Sequence, residues 1–170
     1  MSVYPVISAG QRGMASVLTA MQTQTAWKDG DTTIQSDSSL NDDPDLVLPV
    51  EANANYVIYG YLKYLGSTVG DFKYQLTGPT GATGSWGAYQ LGPLGATTSQ
   101  DAKESLRTTI GAPRSVPSVS TGSGQVIMIT GFLRISSTAG NLVVQWSQDT
   151  STAADTTLQS DSFIQLQRVL

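Results

Sequence analysis

The chain contains neither cysteine nor histidine among its 170 residues. Without cysteine it forms no disulfide, and without both residue types it has no zinc site of the Cys/His kind. The missing imidazole also excludes Ser–His and Cys–His catalytic triads and histidine-based pH switches. Composition thus removes most familiar catalytic constellations, and the sequence predicts no enzymatic activity, no bound metal and no cofactor.

Charge is also scarce. Asp, Glu, Lys and Arg make up 13% of the chain, against about 25% in typical soluble domains. The net charge is −4 and the nine Lys and Arg residues are scattered singly, so no basic stripe predicts nucleic-acid binding. The amino terminus lacks a signal-peptide pattern, and no apolar run approaches the length of a membrane span. We expect a soluble protein, made in the cytoplasm, with a nearly neutral surface that favours association.

Two segments occur twice, in mirrored order along the chain. Asp31–Ser38 (DTTIQSDS) reappears as Asp155–Ser162 (DTTLQSDS), and between them Val57–Lys63 (VIYGYLK) is echoed by Met128–Arg134 (MITGFLR). Each inner segment precedes a Ser-Thr-x-Gly-Asp/Asn turn and a second apolar strand. The repetition predicts one β-hairpin used twice in a sandwich, although chance in a Ser/Thr/Asp-rich chain is the alternative for the outer pair. Repeated scaffold is more typical of a structural protein than of an enzyme.

Short strands separated by turn residues follow one another from Trp27 onward, which predicts an all-β sandwich or barrel. Alternation places Ile58 and Ile129 toward the core, together with Trp146. The opposite faces of the two repeated strands are apolar as well, so they are covered either by connecting segments or by another copy of the chain. The candidate residues for an oligomer interface on these faces are Tyr59, Tyr61 and Phe132.

Only residues 9–22 carry a helical pattern of apolar residues. A helix of this length is marginal alone, so it docks either on its own sandwich or, as an anchoring arm, on a neighbouring subunit. We therefore divide the chain into an amino-terminal arm and short helix, residues 1–25, and a β-sandwich domain, residues 26–170. The candidate attachment residues of the arm are Val3, Tyr4, Val6, Ile7, Met14, Val17, Leu18 and Met21.

Three segments resemble chemical sites without fulfilling them. Glycines at every third position of residues 78–87 imitate collagen but are too few for a triple helix, which favours a loop. The acidic residues of 42–45 lack the ligand count of a Ca²⁺ site, which favours a capped turn. Trp86 and Tyr89 are the aromatic residues that we expect to be exposed in the Gly-rich loop, as contacts for a sugar or another ligand.

The carboxyl-terminal half carries a distinctive series of motifs. Gln145–Gln148 reads Gln-Trp-Ser-Gln, a Thr-Thr turn follows, and the final strand ends in Arg-Val. Upstream, Leu40–Val50 (LNDDPDLVLPV) and Leu76–Thr83 (LTGPTGAT) follow in a similar order and spacing. Over most of residues 4–170, and least between about 95 and 120, the sequence resembles small virion proteins from tailed phages of actinobacteria.

That resemblance implies a jelly-roll-like β-sandwich that forms a homotrimer and is displayed on the virion. The family that the sequence resembles has no catalytic residues to carry over to this chain. The short, self-contained chain favours a capsid decoration protein that binds the major capsid protein on the outer surface of the head, with the arm and helix as its attachment. A receptor-binding module of a tail fibre or tail tip is the alternative.

Overall fold

The computed structural model describes residues 22–90, 103–104, 107–119, 122 and 124–169. Within these residues the chain is all-β and forms thirteen strands without a helix. The strands are β1 Gln24–Trp27, β2 Thr32–Ile34, β3 Asn41–Val50, β4 Asn55–Leu65, β5 Phe72–Thr77, β6 Thr83–Gln90, β7 Lys103–Glu104, β8 Thr108–Thr109, β9 Arg114–Val116, β10 Gln125–Arg134, β11 Gly140–Gln148, β12 Thr156–Leu158 and β13 Phe163–Val169.

The strands form two antiparallel sheets. The large sheet has the order β1-β13-β4-β10-β6-β7, with β8 also paired to β6 and β12 joining β2 to β4. The small sheet has the order β3-β11-β5-β9. Strand β4, at 11 residues the longest, lies near the middle of the large sheet.

A single apolar core draws residues from both sheets. Buried and less buried residues alternate along β4 and β5, which is the pattern of strands that each face a core on one side. The ring of Tyr64 in β4 stacks on Phe72 in β5, with centroids 4.6 Å apart, and Trp146 is 1% exposed. The predicted all-β class and core residues are confirmed, and the two antiparallel sheets are consistent with the predicted sandwich, whereas the jelly-roll winding stays a prediction.

The sequence repeats lie beside their own counterparts. Thr33 pairs with Thr157 between β2 and β12, and Gln75 pairs with Gln145 between β5 and β11. Each of these residues thus faces the residue that matches it in the repeat, as two antiparallel copies related by a local two-fold axis do. The predicted hairpin is wrong, however, because β4 and β5 belong to different sheets and the turn between them crosses from one layer to the other.

Two predicted loops contain strands. Residues 42–45 lie within β3, where the register of the opposite strand β11 shifts between Val143 and Gln145. The Asp43 carboxylate still accepts from nearby backbone N–H groups, as an acidic capping residue does, but inside a bulged strand instead of a turn. The Gly-rich segment is a loop only as far as residue 82, because β6 begins at Thr83.

The predicted arm lies almost wholly outside the described residues. All eight candidate attachment residues and the helix pattern up to residue 21 fall there. The boundary that we placed after residue 25 falls within β1, which pairs with β13 from Gln24 onward. None of the described residues belongs to a helix long and apolar enough to cross a bilayer.

Candidate functional site

The outer face of the large sheet carries a row of large apolar side chains that crosses five strands. The pairing registers place Trp27 beside Phe163, Phe163 beside Tyr61, Tyr61 beside Met128, and Met128 beside Tyr89. These strands are β1, β13, β4, β10 and β6 in spatial order. We call these five side chains the apolar row.

Most of the apolar row is open to solvent. Trp27 is 63% exposed, Met128 57% and Tyr89 52%. Between them the rings of Tyr61 and Phe163 stack with centroids 5.8 Å apart and planes 15° from parallel. Soluble monomers rarely expose a contiguous apolar surface of this kind, which is typical of a surface that binds a partner.

Along β4 and β10 the surface beside the apolar row is uncharged between Lys63 and Arg134. Tyr59, two residues from Tyr61 along β4 and on the same face, is 53% exposed. At one end Lys63 pairs with Asp161 at 3.0 Å, and at the other end the Arg134 guanidinium lies 4.7 Å from the ring centre of Phe132. An apolar centre with charges confined to the margin is the usual anatomy of a protein interface.

The outer face of the small sheet is more polar, although Val47 and Val143 pair on it. Across β3, β11 and β5, Gln145 donates to the Asp42 carboxylate and Gln75 donates to the side-chain oxygen of Gln145. On β5, Lys73 donates to the carbonyl of Ser38 at 2.5 Å. A sheet face covered by hydrogen-bonded polar side chains is suited to water. The two outer faces of the sandwich therefore have different roles.

A shallow depression of about 410 Å³ lies beside the apolar row on strands β6 and β10. Gly87, which lines it on the outer face, has no side chain and leaves the space open, whereas a Cβ at Gly131 would point to the core side, toward Trp86. Tyr89 and Phe132 border it, and Arg107, which is exposed, brings a positive charge to it. The depression thus combines aromatic, polar and cationic groups on the exposed face of the sheet.

Glycine at position 131 is required by the packing beneath the depression. A Cβ at this position would lie 2.7 Å from the Cβ of Trp86 and 2.9 Å from the carbonyl oxygen of Ser85. Since the second of these contacts is with backbone, β6 and β10 approach each other here more closely than a side chain permits. Glycine is therefore required at this position by the pairing of β6 with β10, on the core side of the depression.

A cluster of polar residues is buried between the sheets, away from the outer face. Lys28, directly after β1, is fully buried and donates to Asp43 at 2.9 Å and to Asp45 at 3.1 Å. The Trp146 indole N–H also donates to Asp43, at 3.1 Å. The second oxygen of Asp43 accepts from the backbone N–H groups of Asp45 and Leu46. Every polar group of the cluster has a partner, so we interpret it as a structural link between the sheets.

Tyr64 and Tyr74 also lie buried in the core. Burial raises the pKa of both phenols above the usual value for tyrosine. Tyr64 donates to the carbonyl of Pro117 at 2.9 Å and accepts from Gln90. The Tyr74 hydroxyl has no hydrogen-bond partner within the described part of the chain. Neither phenol reaches the outer face, so neither belongs to the candidate site.

The structure places the predicted interface residues together. Tyr59, Tyr61 and Phe132 all lie on the outer face of the large sheet, and Tyr89 is exposed there as predicted, although in a strand. The prediction of an exposed Trp86 is wrong. It is 1% exposed because it alternates with Tyr89 along β6 toward the core, and its indole N–H donates to the Thr109 carbonyl.

Sequence reasoning missed three members of the apolar row as site residues. Phe163 and Met128 carried a signal, because each alternates with core residues on its own strand. Trp27 carried none, since its place depends on the pairing of β1 with β13, far away in sequence. Among residues 22–90, 107–119 and 124–169 no group of metal-ligating side chains gathers as an alternative site.

Comparisons with known proteins add little. No family model matches the chain, and no curated protein matches it. It is similar to structures of infectious bursal disease virus: the Gt strain at 10% identity with a TM-score of 0.22, and the VP2 subviral particle at 11% identity with a TM-score of 0.23. Each match covers 88% of this chain and 38% of the other, so this chain spans less than two-fifths of their length.

Proposed function

We propose that this chain is a non-enzymatic virion structural protein, a decoration protein that binds the outside of an assembled phage head and stabilises it. The observation that carries this proposal is the division of the sandwich into a polar outer face and an apolar one. Such a scaffold presents a docking surface and, within its described residues, brings no catalytic group to that surface. The sequence resemblance to phage virion proteins supports the proposal that the particle is a phage head.

The amino-terminal arm is the proposed attachment to the major capsid protein. Its apolar side chains include Val3, Val6, Val17 and Leu18, more than a solvated tail carries. Burial of four such side chains contributes on the order of 6 kcal/mol before the cost of ordering the arm. The arm joins the sandwich at Gln24, on an edge strand of the large sheet, from which it can extend toward a neighbouring protein.

The copy number and position of the protein on purified virus particles test this proposal. Quantitative mass spectrometry is expected to find it in an amount comparable with the major capsid protein, and cryo-electron microscopy is expected to show it over the head. A few copies at the tail tip, or absence from the particle, contradict decoration.

A matched pair of substitutions tests the arm. Leu18→Asp places a charge on the predicted apolar stripe, whereas Ser16→Asp places the same charge on the opposite side of the predicted helix. We expect the first variant to fold and to lose binding to particles stripped of the protein, and the second to bind normally. Full occupancy by Leu18→Asp would show that the arm is not the attachment.

The depression beside the apolar row favours a second function, a receptor-binding module of a tail fibre or tail tip. Exposed aromatic rings stack on sugars, and Arg107 offers a positive charge for an acidic group of a host glycan. This function predicts few copies, located at the tail, and binding to host cells that weakens in Arg107→Ala. The particle experiment above therefore separates the two functions directly.

A further inference from the structure

We propose that the outer face of the large sheet is an interface with a second copy of this chain, in which Trp27 of one copy fills the depression on β6 and β10 of the next. The proposal is compatible with attachment of the arm to a head, but it fills the depression that the receptor-binding alternative assigns to a host glycan, so those two uses of the depression exclude each other. It concerns a surface that the attachment of the arm leaves unused.

The size of the face suits a stable association. Five strands about 4.8 Å apart, with 4, 7, 11, 10 and 8 residues, present on the order of 600 Å². The smallest standard-size interfaces bury about 600 Å² on each partner. The face of one copy therefore supplies the area that one partner contributes to an interface at the lower limit of this class.

The composition of the face suits a partner that is itself uncharged. The apolar row contains four aromatic residues and Met128, residue types that are enriched in interfaces, and the charged groups Lys63 and Arg134 lie toward opposite ends. A second copy offers the same surface, uncharged at its centre, and sets Trp27 against the charged group at the depression, Arg107. A strongly charged partner finds no complement at the centre of this face.

The feature that selects a second copy is the position of a projection and a depression on the same face. Trp27 projects from β1 on one side of the central strand β4, and the depression lies on β6 and β10 on the other side. A two-fold axis parallel to β4 places β1 of each copy over β6 of the other, so both contacts form together. In a closed trimer, Trp27 of each copy fills the depression of the next copy around the ring.

The chemistry of the depression matches an indole ring. Its volume of about 410 Å³ accommodates a tryptophan side chain, and Tyr89 and Phe132 offer aromatic surface to it. Arg107 brings a cation of the kind that binds the face of an indole, and the Thr130 hydroxyl offers an acceptor for its N–H group. The lack of a side chain at Gly87 keeps this space free.

Light scattering and analytical ultracentrifugation of the purified full chain test the proposal. At micromolar concentration we expect a mass of two or three times 17.9 kDa. Trp27→Ala removes the projection, and Thr130→Trp fills the depression from an exposed position on β10. Each variant is expected to raise the dissociation constant by about 30-fold or more, as loss of a central aromatic contact does.

The two variants also test the contact in combination. The Trp27→Ala variant keeps an intact depression, and the Thr130→Trp variant keeps an intact Trp27. In a mixture, Trp27 of the second variant can fill the depression of the first, so the mixture is expected to associate where neither variant does alone. Val69→Ala, which trims an apolar residue that is 69% exposed in a turn, is the control and is expected to associate as the wild type does. Circular dichroism verifies that each variant is folded.

Three outcomes would overturn the proposal. These are a wild-type chain that remains monomeric, a Trp27→Ala variant that associates like the wild type, and a mixture that stays monomeric although both variants are folded. A monomeric wild type is also the result expected if residues 1–21 cover this face within one chain. None of these results decides whether the protein decorates a head, which the particle experiment measures separately.

Discussion

Replacement of Lys28 by methionine is expected to destabilise the sandwich strongly. The ammonium group of Lys28 is fully buried, 2.9 Å from the equally buried carboxylate of Asp43. Methionine keeps much of the apolar stem of the side chain but removes the charge, so the substitution isolates the ion pair from the packing around it. It leaves Asp43 as a buried carboxylate without its cation.

The size of the effect follows from what remains around Asp43. Removing one partner of a buried ion pair typically costs about 3–5 kcal/mol. The indole of Trp146 and two backbone N–H groups still donate to the carboxylate, which places the expected loss near the lower limit. A loss of about 3 kcal/mol lowers the melting temperature of a chain of this size by about 6–12 °C.

Urea unfolding followed by tryptophan fluorescence measures this loss, with Lys63→Met as the matched control. Lys63 forms an ion pair of similar length with Asp161, 3.0 Å, but the two side chains are 30% and 67% exposed. An exposed pair contributes less than about 1 kcal/mol. Equal losses in the two variants, or a Lys28→Met variant as stable as the wild type, would refute the interpretation that burial makes the first pair important.

Two further predictions concern the core. Gly131→Ala is expected to cost about 1–3 kcal/mol because the new methyl group overlaps Trp86 and the backbone of β6, whereas Gly30→Ala, with no atom within 4 Å of its Cβ, is expected to be nearly neutral in the same urea assay. Burial raises the pKa of Tyr64 and Tyr74 in the folded state, so their contribution to stability is complete below the unfolded pKa of about 10 and is lost as the pH rises above it. Tyr74→Phe also removes a buried hydroxyl without a hydrogen-bond partner. At pH 8 this variant is expected to unfold at the same urea concentration as the wild type or at a higher one. Between pH 8 and pH 11 it is expected to lose less stability than the wild type. A wild-type chain equally stable at both values contradicts this assignment.

The sequence by itself determined the all-β class and most of the core. Period-two alternation is a local property, and it assigned Ile58 and Ile129 to the inside and Tyr61 and Phe132 to the outside without knowledge of any pairing. The repeats marked related segments but predicted the wrong contact, a hairpin within each copy, whereas the two copies pair with each other. The local pattern gave the wrong prediction for Trp86. The glycines around it predicted a loop, but the segment belongs to a strand, and Trp86 is buried.

Only the tertiary structure decided the content of the candidate site. Trp27 joins the apolar row through the pairing of β1 with β13, and Lys28, one residue later, reaches Asp43 of the other sheet. These contacts depend on register and on layer packing between segments distant in sequence, which no local periodicity encodes. The alternation of side chains therefore fixed which face each residue takes, and the register fixed which residues became neighbours on that face.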